Sequence, residues 1–348
     1  MNIPARQWKK RSLPRRVLAI RLQAMGDLVI TLPYLQHLRN VLPENCQLDL
    51  LTREEVEAIP RNILLFDRVY SIGGGRDLKK QLMHVCWLLP GLIFRRYDLV
   101  LDLQNNIISR LVRKSIRPAA WSQFDRFSPV AAGERTRLTI EAVGLGKNPP
   151  YHHFHLKNEQ AAGDLLFENG WDKSKALVIL NPAGAFVTRN WPLENYVQFA
   201  RLWLKNFPCT QFLVLGTELI LSKSLYLKNE LGESLINLVN KTSPVLAFSV
   251  VQLATLVLSE DSGLMHMAWV SGIPTMVLFG STRSDWARPL GTHTEFLDST
   301  DLECGNCMQE YCKFGDTRCL TRYSAELIFN KTVSLINQTG FKGRLASL

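Results

Sequence analysis

The run from residue 256 to residue 281, LVLSEDSGLMHMAWVSGIPTMVLFGS, constrains the fold of this chain more than any other. An apolar, strand-like stretch ends in the polar turn 259–263, a helix-compatible stretch begins at once, and a second apolar strand follows Pro274. The start of such a helix has unpaired backbone N–H groups and partial positive charge, so it favours an anion such as a phosphate. Asp261 beside it would accept hydrogen bonds from sugar hydroxyls. The segment therefore predicts a nucleotide-sugar site.

The same alternation of strands and helices occurs along most of the chain. It predicts parallel sheets that are covered by helices on both faces. The strands are expected at 17–21, 47–51, 68–71, 98–103, 176–181, 211–215, 235–239, 255–259 and 275–279, and the main helices at 27–40, 193–206, 219–231, 244–254 and up to residue 270.

A polar stretch, GKNPPYHHFHLKNEQ at 146–160, interrupts this alternation and is interpreted as a linker. A chain of 348 residues is long enough for two domains that each bury their own core. We therefore expect two Rossmann-like, doubly wound α/β domains, residues 1–160 and 161–348, which face a cleft. Ligands would lie at the carboxyl ends of the strands.

The formal net charge of +10 favours acidic partners, which include nucleic acid, anionic lipid and phosphorylated substrates. No stretch reaches the roughly 18 apolar residues of a spanning helix, and no signal-peptide pattern is present at the start. The seven cysteines are an odd number, and together these features predict a reduced, cytoplasmic setting.

Asp27 is the candidate for proton transfer in the first half, because it directly follows the turn 23–26 after the first predicted strand. A carboxylate at a helix start can satisfy unpaired N–H groups as a cap, or it can serve as a general base in the cleft. The two roles are compatible if Asp27 lies one or two positions inside the helix and its carboxylate points outward.

The candidates for donor contact follow strands of the second half. Small residues at 181–185 suit a loop that approaches a ligand closely, and Arg189 shortly after them would bind a diphosphate in bidentate fashion. Glu218 follows another strand, where an acid commonly accepts from ribose hydroxyls. His266 has either a structural role or a ligand contact at the helix start.

Four cysteines, Cys304, Cys307, Cys312 and Cys319, form a cluster of the pattern C-x2-C-x4-C-x6-C. They could bind zinc or an iron–sulfur cluster, or they could be reduced, partly buried thiols. The spacing is irregular for a zinc ribbon, which favours the thiols.

The apolar stretch 82–94 contains Trp87 and Phe94 and is flanked by basic residues at 79–80 and 95–96. Such a pattern suits an interfacial contact with anionic lipid. The alternative is a buried helix that precedes the strand at 98–103.

The chain resembles glycosyltransferase family 9, the lipopolysaccharide heptosyltransferases. The matching segments cover most of the chain in the expected order and spacing. They are the stretch from Arg21 to Pro33, YDLVLDLQ at 97–104, NPAG at 181–184 with RNWP at 189–192, DSGLMH at 261–266, and FGST at 279–282.

The resemblance implies a GT-B fold, with the acceptor in the N-terminal domain and the donor in the C-terminal one. It implies inverting transfer of heptose from ADP-heptose, without a metal or other cofactor, and Asp27 as the catalytic base. The acceptor would be the inner core of lipopolysaccharide, and the protein would be peripheral on the inner face of the inner membrane. The implied donor-binding residues are Thr188, Arg189, Glu218, Asp261, Ser262, Gly263, Leu264 and His266.

Two positions depart from the family pattern. Glu260 stands where Asn is usual, and an added carboxylate would alter sugar selectivity. Arg189 stands where Lys is more frequent. The alternatives are a GT-B transferase with another nucleotide-sugar or acceptor and, from a different class, a zinc-containing protein that binds nucleic acid. A Rossmann dehydrogenase is disfavoured because no G-x-G-x-x-G follows the first strand.

Overall fold

The computed structural model describes residues 3–157 and 159–340. The chain divides into two compact units, Met1–Lys157 and Asn158–Leu348.

The first unit is built on one sheet of six strands. In the sheet they are ordered β1-β6-β5-β2-β3-β4, and all neighbours are parallel except β1 and β6. The strands are β1 (Ala5–Arg6), β2 (Arg16–Ile20), β3 (Gln47–Arg53), β4 (Arg68–Ile72), β5 (Leu99–Asp102) and β6 (Ala120–Gln123). The helices of this unit are α1 (Met25–Val41), α2 (Ala58–Arg61), α3 (Leu78–Phe94), α4 (Ile107–Ile116) and α5 (Ala132–Glu141), the last of which follows β6.

The second unit has an all-parallel sheet of six strands, in the order β12-β11-β10-β7-β8-β9. The strands are β7 (Ala176–Asn181), β8 (Thr210–Gly216), β9 (Leu235–Val239), β10 (Leu256–Glu260), β11 (Thr275–Leu278) and β12 (Thr294–Leu297). The helices are α6 (Glu159–Glu168), α7 (Leu193–Asn206), α8 (Leu221–Leu231), α9 (Pro244–Gln252), α10 (Gly263–Val270), α11 (Ser284–Ala287), α12 (Arg318–Thr321) and α13 (Ala325–Thr339).

The central strands are apolar because helices cover both faces of a parallel sheet, so neither set of side chains reaches water. All residues of β7 and of β10 are buried. In the second unit Trp191, Trp203 and Phe212 belong to one apolar core. Each unit therefore has a core of its own, and the α/β architecture predicted from the sequence is confirmed.

The stretch interpreted as a linker contains the boundary between the two units, which follows Lys157, and its residues 151–156 are packed on the first unit. Phe154 and Leu156 are buried, and the backbone N–H of Tyr151 donates to Pro33 O at 3.0 Å. These few apolar side chains anchor the part of the linker that precedes the boundary.

Among the described residues, no helix combines the length and the apolar character that crossing a membrane requires.

Candidate functional site

The carboxyl ends of three adjacent strands define the candidate donor site of the second unit. β7 pairs in parallel with both β8 and β10, so Asn181, Gly216 and Glu260 lie at the same edge of the sheet. The segments that follow these ends contain all the predicted donor-binding residues. This edge is where open α/β sheets bind ligands.

The start of α10 is organised by an amide from the neighbouring strand. The Oγ of Ser262 accepts from the backbone N–H of Met265 at 3.4 Å and caps the helix. The Nδ2 of Asn181 donates to the Oγ of Ser262 and to the Oγ of Ser259, each at 2.7 Å. At Gly263 an added Cβ would meet no atom within 4 Å. The helix start is therefore fixed in place and open, as an anion site requires.

Arg189 and Asp261 are brought together at this edge. The Nη1 of Arg189 lies 3.7 Å from the Oδ2 of Asp261, and its guanidinium lies 4.7 Å from the ring centroid of Phe186. Arg189, which is predicted to bind the diphosphate, and Asp261, which is predicted to accept hydrogen bonds from sugar hydroxyls, are thus neighbours.

Glu260 is wholly buried and its carboxylate holds the backbone of the loop after β7. It accepts from the N–H of Gly184 at 2.6 Å and from the N–H of Trp191 at 2.7 Å. Glu260 thus acts on the loop backbone, and an effect of Glu260 on sugar selectivity stays a prediction. Glu260 is the last residue of β10, and its two hydrogen bonds show that its side chain is directed toward the loop after β7.

Lys223 is a second support of this loop that sequence reasoning missed. Its Nζ donates to Pro182 O at 2.8 Å and to the Oδ1 of Asn190 at 2.6 Å. Burial raises the pKa of Glu260 to about 7, although Lys223 and the two backbone N–H donors oppose this shift. Burial also lowers the pKa of Lys223. Only the fold brings α8 to this loop, so no sequence signal pointed to Lys223.

Thr188 lies inside the protein and not at an open surface. Its hydroxyl donates to Gln309 O at 2.6 Å and lies 2.9 Å from the Oγ of Ser281, while the N–H of Ser281 donates to Thr188 O at 3.1 Å. At Gly280 an added Cβ would lie 2.0 Å from Thr188 O, so only glycine fits there. Donor contact through the Thr188 hydroxyl stays a prediction, and it would require these bonds to open.

The remaining predicted donor residues differ in exposure. Glu218 is exposed, and its Oε2 accepts from the Nδ2 of Asn240. Leu264 is half-buried. His266 is buried, and its Nδ1 accepts from the Nε1 of Trp269 at 3.2 Å. This bond supports the structural role for His266, and a ligand contact for it stays a prediction.

The four clustered cysteines line one cavity of about 50 Å³, together with Thr188 and Ser281. All four are free thiols. Within residues 3–157 and 159–340, no three His, Cys, Asp or Glu side chains are grouped so that they could hold a metal ion. The loop packs beside the donor segment, and reduced thiols at these four positions stay a prediction.

In the first unit, Asp27 is the third residue of α1 and has two partners. Its Oδ2 accepts from the backbone N–H of Ala24 at 3.0 Å, and its Oδ1 lies 2.9 Å from the Nη2 of the buried Arg21. The Asp27 side chain remains 42% exposed. The capping role and an outward carboxylate are therefore compatible, as the sequence suggested.

The side chain of Gln104, which follows the neighbouring strand β5, holds the loop before Asp27. The Oε1 of Gln104 accepts from the N–H of Leu22 at 2.9 Å and from the N–H of Gln23 at 3.1 Å. Burial lowers the pKa of Arg21, and the nearby Asp27 opposes that shift. Gln104 thus fixes the loop from which α1 and its carboxylate start.

The Gly184→Ala substitution tests whether the loop after β7 must approach its neighbours this closely. The new Cβ would lie 2.4 Å from Arg189 O and 2.8 Å from the Oε2 of Glu260. Overpacking of this kind costs about 1–3 kcal/mol, and the loop can relieve it only by moving away from its ligand-binding position. Because binding must restore that position, we expect ADP to bind about 5- to 150-fold more weakly in calorimetric titration. Gly163→Ala is the control, since a Cβ there meets nothing within 4 Å. Equal ADP affinities for both variants would contradict the assignment of this loop to the donor site.

Comparison with known proteins agrees with this geometry. A family model described as glycosyltransferase family 9 (heptosyltransferase) matches residues 91–317, which is more than half of the chain. Lipooligosaccharide heptosyltransferase 2 of Campylobacter jejuni is 24% identical over 189 residues, and the match covers 53% of this chain and 59% of that protein. Lipopolysaccharide heptosyltransferase 1 of Pseudomonas aeruginosa is 24% identical over 341 residues, with 87% of this chain and 88% of that protein covered.

The solved structure of ADP-heptose lipopolysaccharide heptosyltransferase II from E. coli shares the fold. It has a TM-score of 0.71 at 15% identity, and the match covers 93% of this chain and 99% of that one. The GT-B class expected from the resemblance is thereby confirmed. From the matched region and this fold, we conclude that the chain belongs to glycosyltransferase family 9, the heptosyltransferases.

Proposed function

We propose that this protein transfers a heptose from ADP-heptose to the inner core of lipopolysaccharide, with inversion and without a metal. The observation that carries the proposal is the convergence of Arg189, Asp261 and the open start of α10 at one edge of the second sheet. The family match and the name of the E. coli structure support ADP-heptose as the donor.

The donor half of the reaction rests on charge. The diphosphate leaves with more negative charge than it has in the ground state, so donors aimed at it stabilise the transition state. Arg189 and the N–H groups at the start of α10 supply such donors, while Asp261 accepts from the sugar. Because these groups provide positive charge, the proposal requires no metal, and EDTA is expected to leave the rate unchanged.

The acceptor half rests on Asp27. Its carboxylate takes a proton from an acceptor hydroxyl as that oxygen attacks the anomeric carbon of the donor. The C–O bond to the ADP breaks on the opposite side, so the configuration inverts. The acceptor carries phosphates and carboxylates, which suits a protein of net charge +10. We place the enzyme in the cytoplasm, at the inner face of the inner membrane.

Arg189→Ala is expected to weaken ADP binding by about 10- to 100-fold, because a hydrogen bond to a charged group contributes about 1.5–3 kcal/mol. Arg189→Lys should recover part of that affinity, since the charge stays but the bidentate geometry is lost. Calorimetric titration with ADP measures both. Arg201→Ala, at an exposed arginine paired with Glu230, is the control. Unchanged affinity in Arg189→Ala would remove Arg189 from the site.

The direct test is mass spectrometry of a lipopolysaccharide acceptor that lacks heptose, incubated with the protein and ADP-heptose. A mass gain of one heptose is the expected result. UDP- and GDP-sugars serve as competing donors in parallel reactions. Transfer from one of those and not from ADP-heptose would overturn the donor assignment while leaving the family in place.

A further inference from the structure

The outer face of α3 carries a stripe of large apolar side chains in water. Met83, Trp87 and Phe94 are 59%, 88% and 84% exposed. Their spacing of four and seven residues places them on one side of a helix with 3.6 residues per turn. The opposite side of α3 is buried through Val85 and Leu92. The exposed stripe is therefore a surface feature of a well-packed helix.

Such a stripe is costly unless something covers it. An aromatic ring offers about 150–250 Å² of surface for burial, and contiguous apolar patches on a protein surface mark interaction sites. Trp87 and Phe94 contribute two of these rings, two turns of helix apart.

The stripe of α3 is bounded by cations at both ends. Lys79 and Lys80 lie in its first turn, and Arg95 and Arg96 follow its last residue. Both lysines and Arg96 are exposed. The helix contains no Asp or Glu, and the carboxylate of Asp77 before it accepts from the backbone N–H groups of Lys79 and Lys80. Both ends of α3 therefore carry positive charge at the surface.

The adjacent helix α4 extends the same surface. Ile107, Arg110, Lys114 and Arg117 are exposed at spacings of three, four and three residues, which is one helical face. α4 contains no Asp or Glu either. Both helices pack on one face of the first sheet, since they contribute buried side chains to the same core. Their outer sides thus form one apolar and basic surface.

We propose that the outer faces of α3 and α4 form an interfacial binding surface for an anionic lipid bilayer. The rings of Trp87 and Phe94 enter the boundary between headgroups and acyl chains, and the lysines and arginines contact the lipid phosphates. The protein lies on the membrane by this surface and does not span it.

A bilayer fits this surface better than other occupants. A second copy of the chain would bring the same cations face to face, and like charges disfavour such an interface. Nucleic acid would pair with the cations but would leave the aliphatic and aromatic stripe in water. An anionic membrane satisfies both parts of the surface at once.

The test is flotation of the full chain with vesicles of phosphatidylcholine alone or with about one third phosphatidylglycerol. We expect flotation with the anionic vesicles and at least tenfold less with neutral ones. Trp87→Glu/Phe94→Glu should abolish it. Lys79→Gln/Lys80→Gln should weaken it about 25-fold, since each cation near an anionic surface contributes about fivefold. Phe167→Glu, at a phenylalanine 67% exposed on α6, is the control and should float like the parent.

Three outcomes would overturn the proposal. They are undiminished flotation of Trp87→Glu/Phe94→Glu, equal flotation of the parent with neutral vesicles, and a parent dimer that this variant converts to a monomer in light scattering. The proposal extends the membrane location given under the proposed function, but flotation needs neither donor nor acceptor. The rate of heptose transfer to a deacylated, water-soluble acceptor should be equal in the parent and in Trp87→Glu/Phe94→Glu. If the parent floats but transfers no heptose, the proposed function fails alone.

Discussion

Asp27→Asn is expected to lower the rate of heptose transfer by about 10²- to 10⁴-fold, which is the usual contribution of a positioned general base. The affinity for ADP should not change, because the Arg189 site belongs to the other unit. Asparagine keeps an oxygen that can accept from the N–H of Ala24, so the start of α1 is preserved. Single-turnover transfer assays and titration with ADP measure the two quantities separately.

The matched control for this substitution is Asp77→Asn. Asp77 also accepts backbone N–H groups at a helix start, on α3, so the same chemical change is made at a cap without a proposed role in proton transfer. With a water-soluble acceptor, its rate should equal that of the parent. A transfer rate within about fivefold of the parent for Asp27→Asn would exclude Asp27 as the base, since a general base contributes far more.

Glu260→Gln is expected to weaken donor binding and to make the free energy of unfolding less dependent on pH between pH 5 and pH 8. The two carboxylate oxygens accept from Gly184 and Trp191, whereas glutamine offers one oxygen and one NH₂ group. One N–H of the loop then loses its acceptor, which costs about 1–3 kcal/mol. Because this cost destabilises the ordered conformation of the loop after β7, ADP should bind about 5- to 150-fold more weakly.

The stability change follows from the raised pKa of Glu260. In the folded protein this carboxyl has a pKa of about 7, compared with an ordinary value of 4.5. Between those pH values the folded state holds a proton that the unfolded state has released, so the parent's free energy of unfolding falls as the pH rises. At about 1.4 kcal/mol for each unit of pKa, the loss reaches about 3 kcal/mol by pH 8. A glutamine at this position does not ionise, so the variant avoids the loss.

Urea unfolding at pH 5 and pH 8 checks this result. The parent should lose stability relative to Glu260→Gln as the pH rises, while ADP titration at pH 8 shows the weaker binding. Glu194→Gln, on the first turn of α7, is the control. A parent that gains stability relative to Glu260→Gln between pH 5 and pH 8 would contradict the assignment of a raised pKa to this buried group.

The regular elements of the second unit could largely be predicted from the sequence. Ala176–Asn181, Leu193–Asn206 and Leu235–Val239 have the bounds that the apolar pattern predicts. Buried parallel strands read as continuous apolar runs, and short polar turns separate them from the helices. Three short strands were missed. Ala5–Arg6 and Thr294–Leu297 are edge strands without such a run, and Ala120–Gln123, although interior, has only four residues that alternate between buried and half-buried.

The chemistry of the candidate site was predicted less completely. Arg189 and Asp261 were expected in one site, and the structure places them 3.7 Å apart. Glu260 and Lys223 were not recognised as supports of the loop, because their partners are backbone groups distant in sequence. Such contacts follow from the three-dimensional path of the chain, and a pattern of residue types along one segment does not contain them.

The contacts of Thr188 and Ser281 with the segment that follows residue 304 fix the backbone of that segment more than its side chains. They are made largely to main-chain oxygens and nitrogens, such as Gln309 O and the N–H of Met308. Every amino acid except proline offers both groups. The side chain at 309 can therefore be exchanged without loss of the bond from Thr188. At 308 the choice is narrower, because Met308 has a φ of 57°, which disfavours β-branched residues.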